Sequence, residues 1–237
     1  MVISANGLDF TELNRTIKQT EDENVTVTNV LGQRYIGSGA VNKNIRIEGT
    51  PGNAIGAYLN TCNIEVFGNV QDATGDTMNN GKIIVHGNSG DTTGYAMRGG
   101  EIYVQGSAGY RVGIHMKEYK EHKPIIVIGK CAGDFLGEYQ AGGVILVLDS
   151  EDTGHPAGEY IGTGMHGGVM YLRTNEEPKF LPPQVVCEKL EDNAEILPLI
   201  HNFCTYFNQD ETKFAKSTYY KLTPNSKNPY KQLYTNN

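Results

Sequence analysis

The side chains best suited to chemistry in this 237-residue sequence are histidines and carboxylates that lie close to regularly spaced glycines. His115, Glu138 and His166 each follow such a glycine by one to four residues, and His155 and Glu159 lie shortly before another. If neighbouring repeats stack, a histidine and a carboxylate could exchange a proton or bind a metal ion.

A simpler interpretation is that these residues are polar side chains of a solvated turn. The positions equivalent to His166 in other repeats hold mixed, mostly polar residues, which is typical of an exposed edge. They are Asn60, Asn79, Arg98, Lys117 and Ala141. No two histidines have the spacing of a metal motif. We therefore predict no catalytic, cofactor-binding or metal-binding residue, and keep His115, Glu138 and His166 as weak candidates.

The glycine-rich segment "GNSGDTTGYAMRGGEIYVQG" raises the alternative of phosphate binding. A phosphate loop needs a helix after its glycines, so that the helix N-terminus faces the anion. Here Gly94 is followed by a short glycine-broken segment and then by a strand-like run, "EIYVQG". The context therefore argues against nucleotide binding.

The glycines recur at a fixed interval, and this recurrence predicts a solenoid. The last glycine of each motif lies 19, 19, 19, 19, 24 and 25 residues after the one before it. The apolar runs between the motifs, from residues 25–27 to 170–172, start 20, 19, 19, 19, 23, 20 and 25 residues apart. A shared period near twenty residues is typical of repeat proteins. We interpret seven glycines as corners that need a positive φ: Gly37, Gly56, Gly75, Gly94, Gly113, Gly137 and Gly162.

Alternation within the apolar runs predicts strands, since Ile102 and Val104 point one way and Tyr103 points the other. The predicted fold is all-β: a right-handed parallel β-helix, a single-stranded solenoid of about eight coils. The predicted inner columns are Ile45, Ile64, Ile83, Ile102, Ile125 and Ile145; Ile47, Val66, Val85, Val104, Val127 and Val147; and Leu59, Met78, Met97, Met116 and Met165, with Gln140 as an exception.

The other side of the strands changes character along the chain. It is polar in the early repeats, as at Thr26, Arg46 and Glu65, and apolar from the fourth repeat on. The predicted outer apolar residues are Ile84, Tyr103, Ile126, Ile128, Leu146, Leu148 and Tyr171. A bare apolar surface of this size favours aggregation. We expect the C-terminal tail to cover it through Leu190, Ile196, Leu197, Leu199, Ile200 and Phe203, with a partner subunit as the alternative.

The two ends differ from the repeats, and we divide the chain into three segments. Residues 1–20 form a helical cap, with Asp9 as N-cap and Phe10, Leu13 and Ile17 at helical spacing. Residues 21–175 form the glycine-rich β-helix. Residues 176–237 form a partly helical tail that packs on it, in which Pro198 should interrupt any helix. The last thirty residues, which include Tyr230 and Tyr234, are expected to have little secondary structure.

Composition excludes several classes of function. A net charge of −7 and the absence of a basic run argue against nucleic-acid binding. There is no signal peptide and no apolar stretch of about 18 residues, so we expect a soluble, cytoplasmic protein without membrane contact. The four cysteines form no C-x-x-C pair, which favours reduced thiols over a metal or cluster site.

Several linked motifs carry a family resemblance. "GTPGNAIGAYL", "GDFLGEYQAGG" and "GTGMHGGVMYL" resemble, in turn, G-x-x-G-x-x-x-G-A-(F/Y)-L, G-E-Y-M-T-G-G and G-x-G-M-x-G-G-x-x-Y; the second segment shares Glu138, Tyr139, Gly142 and Gly143 with its motif. Asn29, Arg34 and Gly37 lie close to an N-x-x-R-x-x-G entry motif, with extra residues between the first two. Over residues 10–173, and more loosely in the tail, the chain resembles the GXGXG β-helix domain at the C-terminus of the glutamate synthase large subunit. That fold is shared with the related β-helix subunit of formylmethanofuran dehydrogenase.

The resemblance implies a scaffold. In glutamate synthase this domain packs against domains that hold the cysteine nucleophile, the flavin and the iron–sulfur cluster, and none of those features is present here. We expect a non-catalytic structural subunit of a split, glutamate-synthase-like oxidoreductase for glutamate biosynthesis. It would have no cofactor of its own and would bind glutaminase and FMN/iron–sulfur subunits.

Three questions stay open at the level of sequence, two about function and one about oligomeric state. The first alternative function is that of the β-helix subunit of a formylmethanofuran-dehydrogenase-like molybdenum or tungsten enzyme. The second is an independent enzyme that uses His115, Glu138 and His166. Homo-oligomerisation is the third open question.

Overall fold

The computed structural model describes residues 1–225 as a mostly β protein built around one eleven-stranded sheet. Its strands are β1 (Val2–Ser4), β2 (Asn24–Leu31), β3 (Asn44–Thr50), β4 (Asn63–Phe67), β5 (Lys82–Val85), β6 (Glu101–Val104), β7 (Ile125–Ile128), β8 (Ala141–Val147), β9 (Gly167–Arg173), β10 (Val185–Lys189) and β11 (Tyr219–Pro224). Its helices are α1 (Phe10–Gln19), α2 (Leu197–Phe207) and α3 (Glu211–Ala215). The strand order is β1 to β9 in sequence, then β11 and β10.

Consecutive repeats stack on one another in chain order. Every neighbouring pair from β1 to β9 is parallel, and the register aligns Ile45, Ile64 and Ile83. The segments between the strands pair as well: the N–H of Gly94 donates to the carbonyl of Thr74 at 2.8 Å, and Ser89 bridges Ala108 in parallel. Both the strands and the corners therefore link each repeat to the next.

The inner core runs along one side of the sheet. Ile47, Val66, Val85 and Val104 are fully buried in it. The third column, Leu59, Met78, Met97, Met116 and Met165, is also fully buried. Gln140 occupies the equivalent position, and its amide donates to the carbonyls of Gly142 and Gly143 at 3.1 and 3.2 Å. Its donor therefore satisfies two backbone acceptors, whereas its buried Oε1 accepts no hydrogen bond from a described residue.

One repeat departs from the predicted columns. Ile102 pairs with Ile126, not with Ile125, so the prediction that Ile125 and Val127 face the inner core is wrong. Ile126 and Ile128 lie in the inner cluster, so the prediction that they face outward is wrong as well, and Val127 lies in the outer cluster. The preceding corner is followed by extra residues that form a small turn closed by Tyr119 and His122, and the continuous apolar run that comes next gives no sign of which side faces inward.

A second apolar cluster covers the other side of the later strands. Tyr103, Leu146 and Tyr171 of the sheet are buried in it. Against them lie Ile196, Ile200, Phe203, Cys204, Phe207, Phe214 and Tyr219 from the C-terminal segment. Burial raises the pKa of the Tyr103 hydroxyl, which accepts a hydrogen bond from Asn202 Nδ2 at 3.2 Å. Helix α2, which supplies several of these residues, begins at Leu197. Pro198 therefore lies in the first turn of α2, where a missing N–H costs little.

The two ends close the repeat array differently. At the start, Asp9 caps α1 by accepting from the N–H groups of Thr11 and Glu12, as predicted, and Leu13 and Ile17 are buried in the inner cluster. At the other end, β11 pairs antiparallel with β9, and β10 pairs with β11. The expectation of little secondary structure after residue 207 is wrong for α3 and β11. Tyr230 and Tyr234 lie outside the described residues.

The state of the cysteine thiols and the length of the helices complete the description of the fold. Cys62, Cys131, Cys187 and Cys204 are free, and burial raises the pKa of Cys187 and of Cys204 to about 11. Within residues 1–225, none of the helices has the length and apolar character needed to cross a membrane.

Candidate functional site

The corners have an unusual backbone in which three residues, spaced two apart, have positive φ angles. In one repeat these are Arg111 (58°), Gly113 (71°) and His115 (56°). The seven corner glycines have φ angles of 76°, 63°, 72°, 72°, 71°, 67° and 71° in chain order. The reason lies in the hydrogen bonds. The N–H of Arg111 and of His115 donate to the next repeat, while that of Gly113 donates to the preceding one. The alternation thus satisfies backbone groups on both sides of each repeat.

His115 lies on this exposed edge and is held by aromatic rings. Its imidazole stacks on Tyr139 with centroids 5.1 Å apart and an interplanar angle of 10°. Tyr95 meets the same imidazole edge-on, at 6.0 Å. The imidazole is therefore the middle member of a row of three aromatic rings that crosses three repeats.

Glu138 lies in the repeat after His115, but its carboxylate has a different partner. The carboxylate accepts from Nε of Arg111 at 2.8 Å, and the glutamate is only 8% exposed. The Arg111 guanidinium also lies over the ring of Phe135, 4.6 Å from its centroid. The hydrogen bond between the two candidates joins the N–H of His115 to the carbonyl of Glu138 at 3.0 Å. The structure thus brings the two residues together, yet it pairs the carboxylate with arginine.

His166 and the two weaker candidates lie further along the chain. The N–H of His166 donates to the carbonyl of Gln140, and its Nδ1 is 3.1 Å from the carbonyl oxygen of Gly164. His155 and Glu159 are exposed, and the N–H of Glu159 donates to Asp134 Oδ1 at 2.8 Å. Across residues 1–225, no three His, Cys, Asp or Glu side chains are grouped so that they could hold a metal ion.

Sequence reasoning missed the residues that give this edge its character. Arg111, Phe135 and Tyr160 lie two residues before their corner glycines, and Phe135 stacks on Tyr160 at 4.9 Å and 15°. We call Tyr95, Arg111, His115, Phe135, Tyr139 and Tyr160 the aromatic edge. For Arg111, Phe135 and Tyr160 the signal was a shared offset of two residues before the corner glycine, because residues at the same offset in stacked repeats become neighbours.

The Arg111–Glu138 pair should contribute measurably to folding. We expect a double-mutant cycle with Arg111→Ala and Glu138→Gln to give a coupling free energy of about 1 kcal/mol, since one partner is buried and the other half exposed. Urea unfolding of the four proteins measures it. Arg98→Ala removes an exposed arginine from the preceding repeat and should be nearly neutral. Strict additivity of the two substitutions would show that the pair is energetically unimportant.

Comparison with known proteins gives three findings. A family model for the GXGXG motif matches residues 8–227. An uncharacterised protein of Methanocaldococcus jannaschii is 43% identical over 251 residues, which cover 99% of this chain and 96% of the relative. A chain of the formyltransferase/hydrolase complex (FhcABCD) of Methylorubrum extorquens, solved with methylofuran, is 18% identical. That match has a TM-score of 0.66 and covers 93% of this chain and 91% of the other, and it shows a shared fold.

Proposed function

The chain belongs to the GXGXG motif family, and we propose that it is a non-catalytic structural subunit of a glutamate-synthase-like oxidoreductase assembly. The observation that carries this proposal is the use of the best acid–base candidate in a structural contact. The Glu138 carboxylate is held by Arg111 at 2.8 Å, and the His115 ring is stacked between aromatic neighbours. Side chains committed to rigid packing along stacked repeats suit a scaffold that presents a fixed surface.

The proposal includes an architecture and a setting. We infer a right-handed parallel β-helix over residues 21–175, capped by residues 1–20 and covered by a tail over residues 176–237. The chain-order stacking of parallel strands and the contacts of α2 with the outer cluster support this division. We place the protein in the cytoplasm, with glutaminase and FMN/iron–sulfur subunits as partners and no cofactor of its own.

A second candidate has its own support. The likeness to a chain of the formyltransferase/hydrolase complex extends over 91% of that chain. It favours a subunit role in a formyl-transferring or formylmethanofuran-dehydrogenase-like molybdenum or tungsten enzyme. Because identity is only 18%, the likeness supports the scaffold more than the chemistry of the enzyme served.

Isolation of the full chain from its native cells separates these candidates. With an affinity tag on the chain, we expect other subunits to co-purify in fixed ratio, and mass spectrometry identifies them. A flavin or iron–sulfur protein together with an amidotransferase supports the first candidate, and a pterin-containing protein supports the second. Turnover of glutamine or a keto acid by the purified chain alone, lost in His115→Ala, would overturn both in favour of an independent enzyme.

A further inference from the structure

We propose that the aromatic edge is a docking surface for a protein partner that presents lysine and arginine side chains. This inference rests on the proposed function as a subunit, and it names the surface and the chemistry of the contact. It depends on three observations: the backbone at the edge does not require large side chains, these side chains form one exposed patch, and carboxylates without an ion-pair partner among the described residues flank them.

The first observation is that small residues occupy the same backbone positions in several other repeats. Arg111, Phe135, Tyr160, His115 and Tyr139 all have φ angles between 52° and 61°. Such values are strained for bulky side chains. The equivalent positions of other repeats hold small residues as well as larger ones, and all of them have positive φ: Gly39, Ala54, Ala73, Ala96 and Gly164, besides Thr77, Thr92, Tyr35 and Tyr58. The backbone conformation itself therefore does not require a large side chain, so the rings and the arginine at these positions are available for contact with a partner as well as for packing on one another.

The second observation is that the patch is continuous and ordered. One row of rings runs through Tyr95, His115 and Tyr139, and a second row runs through Arg111, Phe135 and Tyr160. Glu138 links the two rows, because its carboxylate accepts from Arg111 and its carbonyl accepts from the N–H of His115. Tyr95, Tyr139 and Tyr160 remain 39%, 36% and 54% exposed. Tyrosine and arginine dominate the energetics of protein interfaces, and rings already fixed by stacking lose little entropy on binding.

The third observation is a line of carboxylates beside the rings. Asp91, Asp134 and Glu159 each lie three residues before a corner glycine, and none of them forms an ion pair with another described residue. Asp91 and Asp134 each use Oδ1 to accept an N–H of the next repeat, which fixes their position. Carboxylates on an exposed surface attract cationic side chains through their charge. The complementary surface is basic, and nucleic acid would be repelled.

The test neutralises the carboxylates and keeps the shape of the edge. The triple variant Asp91→Asn/Asp134→Asn/Glu159→Gln retains the side-chain acceptors, because Asn88 Oδ1 already accepts an N–H in the same way in this fold. The control is Glu21→Gln/Glu177→Gln/Glu191→Gln, which changes the net charge equally at exposed sites elsewhere. Each tagged full chain is isolated with its native assembly, and the salt concentration that releases the partner is measured. Carbodiimide then links carboxylates to lysines in contact, and the links are mapped.

We expect the edge variant to weaken partner binding about tenfold and the control to leave it unchanged. In the parent assembly, we expect direct links from Asp91, Asp134 or Glu159 to lysines of a different polypeptide. Equal salt release of both variants, or links only between copies of this chain, would overturn the docking proposal while leaving a subunit role intact. Failure of any polypeptide to co-purify would instead refute the proposed function, and the docking proposal with it.

Discussion

Gly94→Val is expected to lower the free energy of unfolding by about 3 kcal/mol or more, through backbone strain and overpacking together. Gly94 has a φ angle of 72°, which a β-branched residue adopts only at a cost. A Cβ atom at this position would lie 2.3 Å from Cδ1 and 3.3 Å from Cγ1 of Ile126. The isoleucine belongs to the fully buried inner column, so it has little room to move away.

Two further variants separate the causes. Ala96→Val places the same side chain at a φ angle of 49° on the half-exposed side of the corner, so it reports mainly strain and should cost less. Gly94→Ala combined with Ile126→Val removes the colliding Cδ1 atom. The double variant should therefore be more stable than the sum of its single changes predicts. Urea unfolding followed by circular dichroism measures each. A Gly94→Val protein that melts within about one or two degrees of the parent would show that the corner tolerates a side chain.

The period of the fold was readable from the sequence because two features repeat together. Glycine is the cheapest residue at positive φ, and the inner columns accept only apolar side chains, so both leave a mark at every repeat. Columns such as Ile45, Ile64 and Ile83 therefore follow from spacing alone. The position of α1 followed in the same way, because Asp9 is an N-cap residue and Leu13 and Ile17 have helical spacing.

Where alternation disappears, the sequence could not assign the sides. The run from Ile125 to Ile128 has no polar residue to mark the outward face, and extra residues precede it. Its register was therefore misplaced by one residue, which exchanges the two sides of the strand. The tail strand β11 was missed for a different reason. It pairs with β9, far away in the sequence, and isolated local propensity does not report such a partner.

The arrangement of the candidate site could not be predicted from the sequence, because residue type alone does not determine the backbone conformation. Arg111, Phe135 and Tyr139 would ordinarily be placed at negative φ, and only the hydrogen bonds between stacked repeats force them to positive values. His115 and Glu138 were found from their offsets to the glycines. The pairing of Glu138 with Arg111 requires the three-dimensional overlap of a residue before one corner with a residue after the next.

Phe203→Ala is expected to cost about 3–5 kcal/mol, because the ring is the centre of the cover over the outer cluster. Phe203 is almost fully buried, and its ring packs against Phe207 at 4.8 Å and Phe214 at 6.1 Å. Its Cζ atom would lie 2.7 Å from a Cβ added at Gly129, so the ring rests directly on the backbone that follows β7. Truncation to alanine would leave a cavity at this position, and the cavity would loosen α2 from the sheet.

Leu197→Ala is the matched control, since Leu197 lies on the same helix but is 37% exposed, and its loss should cost about 1 kcal/mol or less. Urea unfolding gives both free energies, and binding of a hydrophobic dye under native conditions reports exposure of the outer cluster. We expect dye binding with Phe203→Ala and none with Leu197→Ala. Equal, small losses for the two variants and no dye binding would mean that α2 does not hold the cover in place. The apolar side of β6 to β9 would then need a partner subunit to shield it from water, because a bare surface of this kind favours aggregation.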